Sequence, residues 1–190
     1  MKKLLIIGFV WPEPKSSAAG IRMIQLIDFF LSKGYQITFA SSSSKGNKSI
    51  NLAAKGIEEK IIELNHSSFD VFISKLNPSI VLFDRFMMEE QFGWRVTKQC
   101  PKALKILDTE DLHCLRKARE EAFKDNTLLN RDYLFGKIAK REIASIYRSD
   151  MSLIISEAEM VLLKTSFGVP EALLFYLPLL VEDITHIDIS

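Results

Sequence analysis

Four stretches of the chain combine small, acidic and basic residues in spacings that suit work on an anion or a sugar. The first is Ser16-Ser17-Ala18-Ala19-Gly20-Ile21-Arg22. Small side chains let the backbone come close to a ligand, and free N–H groups at a helix start favour a phosphate or carboxylate. Ser17, Ala19 and Gly20 would form that cradle, and Arg22 would add a bidentate grip on the anion. The plain alternative is a capped helix start with a solvated arginine, because the stretch is neither a G-x-G-x-x-G fingerprint nor a Walker A loop.

The second stretch is Asp108-Thr109-Glu110-Asp111-Leu112-His113, with Arg116 a turn later. Its carboxylates and His113 can hydrogen-bond sugar hydroxyls, and Glu110 or Asp111 could serve as a base. An acidic helix N-terminus that only offsets the helix dipole fits the same residues. Asp84-Arg85 and Ser156-Glu157 are the third and fourth. An ion pair or cap would explain the former; in the latter, Ser156 with Glu159 three residues on fits a capping box. Glu110, Asp111 and His113 lack metal-ligand spacing, so no metal is expected. No G-x-S-x-G elbow presents a nucleophilic serine. Lys137 to Arg141, with Arg148, reads as the wet face of a helix.

The elements that must hold these residues alternate. Leu4-Leu5-Ile6-Ile7-Gly8-Phe9-Val10 reads as a strand buried on both faces. A Pro-rich loop and then a helical pattern from Ile21 follow, stopping at Lys33-Gly34-Tyr35 with Gly34 in the left-handed position. Further strands are expected at 36–40, 60–64, 79–83, 105–107, 150–155 and 173–177. Between them lie helices at 49–55, from Ser67 or Ser68 to Leu76 with Val71, Phe72 and Leu76 buried, 87–99, 112–124, 131–148 and 156–165. Alternation of this kind predicts an α/β fold: one Rossmann-like domain with a doubly wound, mostly parallel sheet in three α/β/α layers. Open sheets of this type bind ligands at the carboxyl ends of their strands, where all four stretches fall.

The 190 residues suffice for one domain with its own core. With 25 basic and 24 acidic residues, a general electrostatic attraction to nucleic acid is not expected. Cys100 and Cys114 have no ligand spacing and read as reduced structural thiols. Met1-Lys2-Lys3 and its apolar run meet Trp-Pro-Glu-Pro rather than a cleavage site, so a cytoplasmic protein is expected.

Taken in order, these motifs resemble the N-terminal half of a GT-B fold glycosyltransferase of the retaining, family-4-like group. The resemblance rests on the first strand and Pro-rich loop, Ser17-Ala18-Ala19-Gly20-x-Arg22, Lys33-Gly34-Tyr35 before Ile37-Thr38-Phe39-Ala40, Asp108 to His113, and Ile154-Ile155-Ser156-Glu157. It implies that residues 1–180 form the acceptor-binding domain and 181–190 start an interdomain linker near Thr185-His186-Ile187-Asp188. Ala19-Gly20 stand where the family has a glycine pair near the donor diphosphate, and Glu110-Asp111 where it has a His-Asp pair. The resemblance further implies a nucleotide-sugar donor and no other cofactor. A glycan or lipid-linked acceptor, transfer with retention, and a location allowing contact with the inner membrane face also follow from it. The partner domain that completes the nucleotide-sugar site has no counterpart here, so these residues alone should not turn over, and the surface where it would dock allows homodimerisation. A non-catalytic flavodoxin-like or Rossmann-like binding module is the alternative.

Overall fold

Strands β1 (Lys3–Gly8), β2 (Gln36–Ser41), β3 (Glu58–Ile61), β4 (Ile80–Asp84), β5 (Leu104–Asp108), β6 (Met151–Ile154) and β7 (Leu174–Tyr176) form one sheet. Their spatial order is β3-β2-β1-β4-β5-β6-β7, and every neighbouring pair is parallel. The computed structural model describes residues 2–180; the expected linker at 181–190 lies outside them. The helices are α1 (Ala18–Ser32), α2 (Ser68–Leu76), α3 (Phe86–Gln99), α4 (His113–Lys124), α5 (Arg131–Leu134), α6 (Lys137–Arg148) and α7 (Glu157–Thr165), with 3-10 turns at Ala53–Lys55 and Glu171–Leu173. No helix among the described residues is long and apolar enough to cross a membrane.

The two faces of the sheet are covered unequally. Leu4 and Ile6 of β1 pack with Met23, Leu26 and Ile27 of α1, while Leu5 and Ile7 face a larger core that also holds Phe69, Phe92, Ile146 and Leu163 from α2, α3, α6 and α7. Period-2 alternation thus splits one continuous apolar strand between two cores. Right-handed crossovers explain the split. The chain winds outward from β1 to β3 with α1 on one face, then returns across β1 to β4 and winds the other way on the opposite face. The reversal lies between β1 and β4.

Several boundaries differ from the sequence reading. The first strand ends at Gly8 and the third is two residues earlier than expected. Val71 is 71% exposed, and α2 buries Phe69 and Ile73 instead. The positions 69, 72, 73 and 76 follow the helical repeat, and Val71 falls off that stripe. The expected helix over 131–148 divides at Phe135-Gly136, where Gly136 is extended and restarts the chain as α6. Gly34 takes φ 75°, the left-handed stop expected of it.

Arg22 has a different task from the anion grip expected of it. It is 3% exposed, and its Nε donates to both Asp108 carboxylate oxygens at 3.0 and 3.1 Å while Nη2 donates at 2.9 Å. Nη1 donates to the carbonyls of Leu177 at 2.9 Å and Pro178 at 3.2 Å. One guanidinium thereby ties α1 to the end of β5 and to the segment after β7. Burial pushes the Asp108 carboxyl up against the pull of Arg22. Removing one member of such a pair strands a buried charge, at about 3–5 kcal/mol. Urea unfolding should show Arg22→Met losing about that much, and the Arg22→Met/Asp108→Leu double variant losing clearly less than the two single losses combined.

Candidate functional site

The reversal between β1 and β4 opens a cavity of about 250 Å³ at the carboxyl ends of the strands. Ser17, Ala19 and Gly20 of the α1 start form one side, Asp84 and Arg85 another, and Trp11 and Pro12 of the first loop a third. A larger hollow of about 600 Å³ lies between β3 and α2. Its walls include Lys3 and Gln36 from the amino ends of the strands and none of the expected site residues.

The α1 start is built by its loop. The Ser16 and Ser17 amides donate to the Glu13 carbonyl at 3.0 and 3.1 Å. The Ser17 hydroxyl caps the helix by accepting from the Gly20 amide at 3.0 Å. A Cβ on Gly20 would sit 2.4 Å from the Glu13 carbonyl carbon, so glycine is required for the loop to fold against the helix. The missing side chain allows this close backbone contact, and Gly20 also lines the cavity. The Ala18 and Ala19 amides have no partner among the described residues, and they stand at the positive end of the helix dipole.

Across the cavity, Asp84 and Arg85 sit at the tip of β4. Asp84 Oδ2 accepts from the Phe9 amide at 3.0 Å, which fixes the exit of β1. Burial pushes its carboxyl up to about 6, only partly offset by the Arg85 charge. Arg85 has φ 73° and ψ 156°, a region nearly reserved for glycine and costing of order 1–3 kcal/mol. Its amide donates to the Asp108 carbonyl at 2.8 Å, which helps to hold the strained turn. The guanidinium lies 5.2 Å from the Phe9 ring and pairs through Nη2 with Glu110 Oε2 at 3.0 Å. Arg85 Nε is buried with no hydrogen-bond partner among the described residues. Glu110 also has positive φ, 66°.

The remaining acidic stretch is organised separately. His113 Nε2 lies 3.5 Å from Asp111 Oδ1, too far for a hydrogen bond, and its ring meets Phe86 edge-on at 5.5 Å. Burial, reinforced by Arg116, holds His113 down to about 4, so the ring is neutral near pH 7. The start of α4 is closed: Leu112 N donates to Glu159 Oε1 at 3.0 Å, and His113 N and Cys114 N donate to the Glu142 carboxylate at 3.0 and 2.8 Å. Burial pushes both glutamates, and the Cys114 thiol, upward. The dipole at this helix is therefore offset by acids from α6 and α7, not by Asp111. The capping box expected at Ser156 is not formed, because Ser156 makes no side-chain cap bond and Glu159 turns to Leu112. Glu157 is exposed on α7 and is not among the cavity walls.

The structure thus brings together Ser17, Ala19, Gly20, Asp84, Arg85 and Glu110. It sets Asp111 and His113 aside and commits Arg22 elsewhere. Among the described residues, no group of three or more His, Cys, Asp or Glu side chains is placed to hold a metal. The sequence reading missed Phe9 and Glu142. Phe9 falls within the expected strand, and Glu142 directly follows a basic run. Its spacing from Ala139 and Ile146 placed it on the buried side of the helix, the one available signal.

No family model and no curated protein matches the chain. Solved structures match its fold. Sucrose-phosphate synthase from Thermosynechococcus elongatus is 12% identical with a TM-score of 0.63, over 94% of this chain and 48% of that one. The lipopolysaccharide outer core galactosyltransferase WaaB in its apo form is 14% identical at TM-score 0.53, over 91% and 44%. A Listeria monocytogenes protein assigned as a UDP-N-acetylglucosamine 2-epimerase is 14% identical at TM-score 0.55, over 92% and 45%. The chain therefore has the fold of a GT-B half-domain and spans about half the length of these proteins.

Asp84 gives this site a pH signature. Its folded-state pKa lies above the unfolded value, so the folded chain binds more protons between about pH 4 and 6 and loses stability as pH rises through that window. Asp84→Asn keeps an acceptor for Phe9 and removes the titration. Its stability relative to the parent should climb across pH 4 to 6 by on the order of 2 kcal/mol. Urea unfolding at closely spaced pH values measures this; a flat difference would mean a carboxyl that ionises freely.

Proposed function

We propose that this chain is the acceptor-binding half of a glycosyltransferase that moves a sugar from a nucleotide-sugar donor to a glycan or lipid-linked acceptor. The observation that carries the reading is the cavity at the β1–β4 reversal. It sets the open α1 start, with Ala19 in its wall, against a strained arginine whose Nε is buried without a hydrogen-bond partner, 3.7 Å from Asp84 Oδ1. Strain kept at such a point is a mark of a ligand site. An anion such as a diphosphate satisfies all of these donors at once. The fold match to half of several sugar-transferring enzymes supports the same reading.

In this reading Ser17 and Gly20 shape the cradle, Ala18 and Ala19 offer amides, and Arg85 supplies the positive charge. Glu110 holds Arg85 in place when the site is empty and can accept from an acceptor hydroxyl when it is filled. Transfer with retention would proceed by front-side displacement assisted by the donor phosphate. Most of the transition-state stabilisation would come from a facing domain, so the 190 residues alone should not turn over.

Two measurements test this. Calorimetric titration with UDP and with pyrophosphate should show binding that falls about tenfold or more in Arg85→Gly. Glycine suits φ 73°, so this variant should melt no lower than the parent, separating lost binding from lost fold. Incubation of the chain with UDP-glucose and a sugar acceptor should release no UDP above the blank. Equal affinity in both proteins would remove the site, and measurable transfer would remove the half-enzyme reading. A nucleotide-sugar epimerase also uses a half-domain of this fold. Arg85→Gly would leave that possibility open, whereas product analysis with a joined second domain would decide it. The closed α4 start and the separated Asp111 and His113 favour a second reading, a non-catalytic binding module. Unchanged substrate after joining that domain would support it.

A further inference from the structure

Five charged side chains are linked at the tips of β4 and β5: Asp84, Asp108 and Glu110 with Arg22 and Arg85. The acids outnumber the arginines by one, and the pairing distances show which acid is left over. Arg22 is engaged on Asp108 at 2.9 to 3.1 Å. Arg85 pairs with Glu110 at 3.0 Å. Asp84 Oδ2 is tied to the Phe9 amide, but Oδ1 stands 3.7 Å from Arg85 Nε and accepts no hydrogen bond among the described residues. Asp84 lines the cavity, so this surplus carboxylate borders the space that an anion would occupy.

The other neighbours of Asp84 do not neutralise it. The exit of β1 faces it with the uncharged Phe9 amide. The first loop brings another acid, Glu13, into the cavity wall, where it accepts from the Ser16 hydroxyl at 2.9 Å. Burial lifts the Asp84 carboxyl to about 6 against the Arg85 charge, with Asp108 and Glu110 adding to the lift. An anion bound in the cavity would be one more negative neighbour and would favour the protonated form further. An ionised Asp84 would also compete with that anion for Arg85.

We propose that Asp84 takes up one proton as an anion enters the cavity, leaving a neutral carboxyl that donates through Oδ1 to a phosphate oxygen and cedes Arg85 to the same anion. The inference rests on the reading of this cavity as an anion site and adds its regulation. Anion and proton bind together and leave together, the proton passing between water and Oδ1. Asp84 is the acid of the cluster free to do this, because protonating Asp108 or Glu110 would break its pair with an arginine. Affinity is therefore highest at low pH, where the proton is already in place, and falls as pH rises through about 6.

UDP-glucose suits the test, because its diphosphate is esterified at both ends and lacks the phosphate ionisation at about pH 6 that UDP would add. Calorimetric titration of the 190-residue chain should show affinity falling about tenfold or more from roughly pH 6.5 to 8. Titrations in buffers of different ionisation enthalpy should give close to one proton taken up at about pH 7.5 and almost none at about pH 5. That count needs no variant. Asp84→Asn keeps an acceptor for Phe9 and offers an amide where the carboxyl would carry its proton. It should bind without the pH slope, and about tenfold tighter than the parent at roughly pH 8. Glu110→Gln should keep the slope; its loss there would move the proton to Glu110 and overturn the assignment. Binding with no proton uptake, or a slope that survives in Asp84→Asn, would overturn the proposal and leave the anion site standing. Absence of binding at every pH, in the parent and in Asp84→Asn alike, would overturn both.

Discussion

The architecture turns on the buried guanidinium of Arg22. A sheet wound in both directions from β1 leaves its two halves connected mainly by strand pairing, and α1 packs into a core that reaches Ile80 and Leu82 of β4 and Ile106 of β5. Arg22 reaches from α1 to Asp108 at the end of β5 and to the carbonyls that follow β7. It thereby holds the chain after β7 against the thinly covered face. Three of its nitrogens are spent in this way, so the one cationic residue of α1 serves the fold. In the proposed function, the anion-facing role at the crevice passes to Arg85.

Arg85 shows how the same crevice is made receptive. The β4 and β5 tips are joined by the Arg85 amide on Asp108 and by the Arg85–Glu110 pair, and both of the paired residues have positive φ. An arginine side chain in a backbone region suited to glycine is held there by its surroundings, and its Nε, 3.7 Å from Asp84 Oδ1, makes no hydrogen bond among the described residues. The start of α4, only a few residues beyond Glu110, is the opposite case. Glu142 and Glu159 fill it with carboxylates, leaving nothing for an anion to bind. Of the α1 and α4 starts, the first is open and the second is stoppered.

Much of this was legible in the chain. Branched apolar runs alternating with helical repeats imply a parallel sheet, and handedness then dictates which face each helix covers. Ser17, Gly20, Asp84, Arg85 and Glu110 could be placed at strand ends because strand ends were readable. The use of each side chain was not. Whether Arg22 points to solvent or inward depends on Asp108, 86 positions away, and local sequence holds no record of that distance. Glu159 looked like a capping residue because its spacing from Ser156 is right; a donor from α4 took it instead. The left-handed turn at Arg85 had no compositional sign, since only tertiary contacts make arginine occupy it.

The reach of Arg22 also sets an order of events. Its bonds to Leu177 and Pro178 span 155 and 156 positions of chain. A nascent polypeptide leaving the ribosome exposes residue 22 long before either carbonyl exists outside the tunnel. Until then the charged head has at most Asp108 for company. Closure of the molecule is therefore a late, long-loop step, entropically costly and slow to be rewarded. Arg22 must wait for chain made 155 residues after it before its clasp can close.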